Sequence, residues 1–264
     1  MDIAIILGLV IAFGSLFAMM TLEGTAVTAV LLPAPMILVL GASMAVGMAG
    51  GTLRDTIAAF KALPSAFIGR STKPDETIGK LVSLAEIARS EGLLALEIKA
   101  EEEPDQFLKR ALQSVADGTD GEELRILLED EISTSDRAAR NAARYFTSVG
   151  GYAPTIGIIG TVVSLIHVLE KLDSPATLGP MIATAFVATL WGLLSANFIF
   201  LPIGTRLKRL AELEVERMTL LMEGVLAIHA GSQPRLLGDR LRAMVPREKA
   251  PREKEQPVKV SDAA

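Results

Sequence analysis

Four stretches of this chain carry no Asp, Glu, Lys or Arg: 20 residues between Asp2 and Glu23, 30 between Glu23 and Arg54, 25 between Arg144 and Glu170, and 32 between Asp173 and Arg206. A helix needs about 20 apolar residues to cross a bilayer core. The pattern predicts transmembrane helices near 3–21, 27–49, 148–169 and 178–203. Core helices of soluble proteins rarely run this long without a charge. Met1-Asp2 also lacks the basic flank of a secretory leader, so the first stretch reads as a span and not as a signal peptide.

Between the second and third spans the apolar residues recur at helical spacing, with no strand-period alternation. Lys73-Pro74-Asp75 opens a helix carrying Leu81, Leu84, Ala85 and Ala88, which Gly92 interrupts. Pro104-Asp105 opens another, with Phe107, Leu108, Ala111, Leu112 and Val115 on one face and Gly118 past its end. A third begins near Asp120, runs through Leu124, Leu127, Leu128 and Ile132, and meets no breaker before Gly150, so it feeds into span three. Leu207, Leu210, Leu213, Met218, Leu221 and Val225 prolong span four until Gly231 and Pro234 stop it. The chain is therefore read as all-α, with four spans and a large helical loop between spans two and three. It divides into residues 1–53 (spans one and two), 54–146 (the loop), 147–205 (spans three and four), 206–244 (C-terminal helices) and 245–264. The last is a charged, proline-bearing tail expected to be disordered.

Composition and charge narrow the class. Half of the 264 residues are hydrophobic, 22% are charged, 5% are aromatic, and the net charge is −5. The mean hydropathy is +0.41, as expected of a membrane chain. Sparse aromatics and a negative balance argue against nucleic acid as a partner. There is no cysteine and there are only two histidines, His167 and His229. A thiolate or histidine-rich metal centre is thereby excluded, and no nucleophile, base and orienting group fall together, so the chain is read as no enzyme. Of the 26 basic residues, 13 lie in 54–144 and 12 in 206–264, leaving only Lys171 in the connection between spans three and four. By the positive-inside rule both large polar regions and both termini face the cytoplasm.

The spans hold no Asp, Glu, Lys or Arg, and His167, near the outer end of span three, is read as a packed interfacial side chain and not as a proton relay. An ion path through them must borrow its titrating group, because ion pathways retain such groups despite a cost of roughly 2.5–3.5 kcal/mol or more at mid-bilayer. Span three carries Gly157/Thr161 and Gly160/Ser164, and span four carries Ala188, Gly192 and Ala196 with Thr184, Thr189, Ser195 and Asn197. Small residues let helices approach closely, and hydroxyls bond across helices or line a wet path; close packing and a pore wall both fit. Pro154 and Pro202, near the cytoplasmic ends of these spans, each remove a backbone hydrogen bond and favour a kink.

These residues resemble the flagellar stator branch of the MotA/TolQ/ExbB ion-channel family, from Met1 to about Arg240. The most specific stretches are Ala153–Val162 (APTIGIIGTV), Ala188–Asn197 (ATLWGLLSAN) with Phe200-Leu-Pro202, and Met222–Gly231 followed by Pro234-Arg235. Ala88–Glu97 (ARSEGLLALE) is similar to the rotor-facing segment of the loop. The resemblance implies a pentameric ring around a MotB dimer, which supplies the intramembrane Asp, and torque on the rotor protein FliG. It implies that Thr161, Thr189 and Thr184 line the ion path, that Pro154 and Pro202 couple ion passage to the cytoplasmic domain, and that Arg89 and Glu97 meet the rotor. The loop 54–146 then becomes the rotor-interacting domain. The partners implied are MotB, FliG, further copies of the chain and inner-membrane lipid, and no cofactor is implied beyond the transported ion, H+ or Na+. An ExbB/TolQ-like energiser of an outer-membrane system is the alternative function, and a non-motor transporter or scaffold stands behind it.

Overall fold

The computed structural model describes residues 4–69 and 73–246, so the tail from 247 onwards lies outside the described residues. These residues are helical, with no strand among them. In chain order they form α1 (Ala4–Leu22), α2 (Pro33–Ala49), α3 (Leu53–Ile68), α4 (Pro74–Glu91), α5 (Leu96–Glu101), α6 (Gln106–Ala116), α7 (Gly121–Leu169), α8 (Pro175–His229) and α9 (Pro234–Met244). α1, α7 and α8 are long and apolar enough to cross a membrane.

The second expected span is shorter than the uncharged stretch suggested. Val27–Ala29 forms a single 3-10 turn, and α2 begins only at Pro33. Pro33 disfavours the helical region for the residue before it. Leu32 is accordingly extended, at φ −97° and ψ 119°. α2 also widens into a π-helical turn at Ile37–Gly41. The lone tryptophan fixes this entry, because Trp191 Nε1 donates to the Val30 carbonyl at 2.7 Å.

The chain forms two compact units. The first comprises Met1–Thr72 and Ile126–Thr219. Its core joins Ala59 and Ala66 of α3, Tyr145, Phe146 and Val149 of α7, and Phe200, Ile203 and Leu207 of α8. The Phe60 ring lies 5.8 Å from Tyr145 and 6.0 Å from Phe146, centroid to centroid, within the range of favourable aromatic pairs. α3 starts on a capping box, in which the Thr52 hydroxyl accepts from Asp55 N at 3.1 Å and the Asp55 carboxylate accepts from Thr52 N at 3.3 Å. At 49 and 55 residues, α7 and α8 far exceed a bilayer's need of about 20. Both continue into the second unit.

The second unit comprises Lys73–Arg125 and Leu220–Ala264. Its helices start and stop where their termini are satisfied. Asp105 caps α6 by accepting from Phe107 N at 3.0 Å and Leu108 N at 3.4 Å. Gly92, Gly118 and Gly231, just past helix ends, have φ of 88°, 77° and 71°, a region that only glycine visits cheaply. The buried faces of α4 (Ile78, Leu81), α6 (Leu108, Leu112), α8 (Leu221, Val225) and α9 (Leu237, Leu241) supply the core. Glu223 accepts from Arg125 at 3.2 Å and from Arg240 at 2.7 Å, tying α7, α8 and α9.

Glu103 is the buried charge of this unit. Its side chain is 4% exposed and meets Lys80 Nζ at 2.5 Å, while its other oxygen accepts from Asp105 N at 3.1 Å. Removing one partner of a buried pair strands the other charge, at a cost of about 3–5 kcal/mol when both are fully buried. Because Lys80 is 45% exposed, Lys80→Met is expected to destabilise the unit by a smaller amount, about 1–2 kcal/mol. Adding Glu103→Gln should recover part of the loss. Amide exchange across α4 measures both variants, and equal protection in Lys80→Met and the unaltered protein would show that the pair contributes nothing.

Candidate functional site

The candidate site is the seam between the apolar parts of α7 and α8, both within the first unit. Small residues bring the two backbones together. A Cβ placed on Gly157 would stand 2.9 Å from the Ala188 carbonyl and 3.1 Å from Gly192 Cα; one on Gly192 would stand 2.8 Å from the Ala153 carbonyl and 3.1 Å from Gly157 Cα. Real Cβ atoms essentially never approach within 3.0 Å, so the two carbonyl contacts alone exclude a side chain at either glycine. The seam continues towards Gly204, whose Cβ would meet Thr147 N at 2.9 Å. The small-residue spacing of the sequence therefore packs these two helices against each other within one chain.

At this seam two hydroxyls meet. Thr161 Oγ1 lies 2.5 Å from Thr189 Oγ1, 3.1 Å from the Gly157 carbonyl and 3.1 Å from the Ala185 carbonyl. A hydroxyl has one proton and two lone pairs. Either hydroxyl can donate to the other across this contact, and the two oxygens keep lone pairs that can accept from a proton donor or a cation. Thr184 stands apart, because its hydroxyl donates to the Pro180 carbonyl one turn back on the same helix, at 3.0 Å.

Pro154 and Pro202 both lie inside continuous helix. Pro154 is in the seam, with its Cα 3.3 Å from where a Gly192 Cβ would stand. Pro202 lies two residues past the end of a π-helical turn at Ser195–Phe200. A π turn relieves the clash between a proline ring and the preceding turn of helix, and such turns are common at functional sites. Nothing in local composition marks these turns; their neighbouring prolines are the only signal the sequence carried.

Arg89 and Glu97 lie in the second unit. Arg89 closes the last turn of α4 and Glu97 opens α5, with Gly92 and a 3-10 turn at Leu93–Ala95 between them. Both are exposed, and neither forms an ion pair or side-chain hydrogen bond among the described residues. Their neighbour Lys99 differs: Glu102 accepts its hydrogen bond at 2.8 Å and, with its charge, raises the ammonium above its usual 10.5.

Long apolar helices joined by a glycine seam, with a hydroxyl pair inside it, define a membrane-embedded helical protein. The MotA/TolQ/ExbB proton channel family matches residues 99–220, and the motility protein A N-terminal family matches residues 6–92. The chain is 34% identical to motility protein A of Helicobacter pylori over 241 residues, which cover 91% of this chain and 94% of that protein. It is similar to the solved MotAB of C. jejuni, with a TM-score of 0.90, 31% identity, and coverage of 97% of this chain and 100% of that one. The flagellar MotAB stator complex of Bacillus subtilis matches with a TM-score of 0.82, 31% identity, and coverage of 91% and 95%. The chain belongs to the MotA/TolQ/ExbB proton channel family, in its motility protein A branch. Its function is that of a flagellar stator ion channel, and it is no enzyme.

Proposed function

We propose that the chain crosses the bacterial inner membrane four times with both termini in the cytoplasm. In this reading it forms a pentameric ring around a MotB dimer, whose intramembrane Asp takes up H+ or Na+. The observation that carries this reading is the composition of the spans. They offer a pair of lone-pair-bearing hydroxyls, Thr161 and Thr189, and no carboxylate of their own. The relatives of known structure are complexes with MotB, which supports a partner as the source of the acid. α2, shorter than its neighbours, still serves as a span, since local thinning of the bilayer costs only fractions of a kcal/mol per Å of mismatch.

In the proposed cycle the ion neutralises the partner's Asp beside Thr161 and Thr189. A neutral side chain loses its attraction to one ring position, and the ring turns around the partner helices. Beyond the hydroxyl seam, α7 presents Ile158, Ile159, Val162, Val163 and Ile166, each more than half exposed. This apolar face suits a neighbouring copy and the partner helix. α7 and α8 carry the motion past Pro154 and Pro202 to the cytoplasmic unit, where Arg89 and Glu97 act on FliG. Exposed charges of this kind are screened over about 8–10 Å at cellular ionic strength, so the rotor contact weakens with salt.

Charge reversal tests the rotor contact. Arg89→Glu and Glu97→Lys should each leave membrane insertion and assembly with the partner unchanged while swimming speed falls. A compensating reversal in the rotor protein should restore part of the speed. Full motility in both single reversals and in the double would remove Arg89 and Glu97 from the rotor contact.

A further inference from the structure

A cavity of about 700 Å³ lies between α1 and α8, away from the hydroxyl seam. Its size falls within the roughly 300–1,000 Å³ of small-molecule sites. Ile5, Leu9 and Leu201 give it apolar walls, and Gly8 leaves its floor open, with nothing within 4 Å of where a Cβ would stand. Phe198 lines the far end, where its ring meets Phe13 edge to face at 5.4 Å. Arg206 and Arg209 line the opposite end. Arg209 is 53% exposed and pairs with Glu212 at 3.2 Å and Glu216 at 3.6 Å, one and two turns further along the helix. Pairs of exposed residues like these are weak and readily exchanged.

We propose that this groove binds one anionic phospholipid, with an acyl chain along the apolar walls and the phosphate at Arg206 and Arg209. Length selects this occupant. From Phe198 to Arg209 the helix rises about 16 Å, close to one leaflet of a hydrocarbon core about 30 Å thick. Phe13 is the middle residue of α1, so its contact with Phe198 sets the inner end of the groove near mid-membrane, and a groove of that depth fits a lipid chain, which is one leaflet long. A transmembrane helix of a partner or of a second copy must continue across both leaflets, and the Phe13–Phe198 contact blocks that course. Charge selects the headgroup, because basic side chains at a membrane surface attract anionic lipid. Pro202 also lines the groove, so a bound lipid rests against the segment of α8 that contains the π turn.

The test uses the complete stator complex in nanodiscs containing a photoactivatable phosphatidylglycerol, with adducts mapped by peptide mass spectrometry. Adducts are expected in Ala4–Ala12 and Phe198–Arg209. Gly8→Leu, whose Cβ would meet nothing within 4 Å, should fill the open floor and abolish them. Arg206→Gln together with Arg209→Gln should lower phosphatidylglycerol labelling about 25-fold, roughly fivefold for each arginine. Labelling by a matching phosphatidylcholine probe should change far less. The double arginine variant provides the reading should Gly8→Leu fail to assemble. Undiminished labelling in a folded Gly8→Leu protein overturns the proposal. So does an equal loss of both probes in the arginine variant, or adducts spread evenly over the lipid-facing helices.

Discussion

Replacing Gly192 by valine is expected to separate α7 from α8 and to lose the folded stator. A Cβ at this position points at the Ala153 carbonyl from 2.8 Å and at Gly157 Cα from 3.1 Å. Both obstacles are backbone, so no rotamer change relieves them. Overpacking a core costs about 1–3 kcal/mol where side chains can adjust. With backbone on the far side, the cost belongs at or above the top of that range. A loss of 3 kcal/mol corresponds to a fall in Tm of about 6–12 °C for a chain of this size. Gly157→Val meets the same wall from the other helix, so the double variant should cost less than the sum, because one separation relieves both clashes. Gly151→Ala is the control, with nothing within 4 Å of its Cβ position. It should be neutral or should stabilise, since alanine is the better helix former by about 1 kcal/mol. Thermal unfolding of the purified complex decides, and equal Tm values for Gly192→Val and Gly151→Ala would show that the seam is not close-packed.

The second large effect is expected at the hydroxyl pair, on function and not on folding. Thr161→Val removes the hydroxyl that meets Thr189 at 2.5 Å and, with it, the single proton shared among Thr189 and the Gly157 and Ala185 carbonyls. Valine has nearly the shape of threonine, so the packing of α7 on α8 survives. If the pair's lone pairs steady the ion beside the partner's acid, ion flux should fall about tenfold, equivalent to about 1.4 kcal/mol and in line with one hydrogen-bonding group. Thr189→Val should act alike, and the double variant should lose little more than either single one, since the two hydroxyls work as one unit. Thr161→Ser keeps the oxygen and should restore most of the flux. Thr184→Val should have the smallest effect of the three threonines, because its hydroxyl bonds within its own helix. Flux is read as proton or sodium uptake into vesicles holding the complex. Unchanged flux in Thr161→Val and Thr189→Val would reduce the pair to packing.

Much of this was legible in the chain because it is local. Helix termini are set by a few neighbouring residues, and Pro74, Asp105, Pro234 and the glycines at 92, 118 and 231 stand at the predicted boundaries. The extensions of α7 and α8 beyond the spans were legible for the same reason, since no proline falls within 120–150 or 207–231. α2 shows the limit of reading by hydropathy alone. Its uncharged stretch starts after Glu23, yet the helix waits for Pro33, because backbone geometry and not polarity decides where a helix begins. The small residues at 157, 188 and 192 were visible as a pattern, but packing and pore lining looked equally suited to them.

The sequence by itself determined a membrane chain: long uncharged apolar stretches leave water, and spans without Asp or Glu offer an ion path no carboxylate. Neither statement needs coordinates, because solvation free energy depends on what a residue is. Tertiary structure decided which faces meet. The rotation of α7 against α8 sets Gly157 on Gly192 and brings Thr161 to Thr189 across 28 positions of sequence. Folding of the second unit brings Lys80 to Glu103 and Arg125 and Arg240 to Glu223. Within the first unit, packing left Gly8 facing open space between α1 and α8. Those contacts depend on helix rotation and separation, where shifts of a few ångströms make or break a hydrogen bond, and residue spacing along one helix carries no information about the helix it will face.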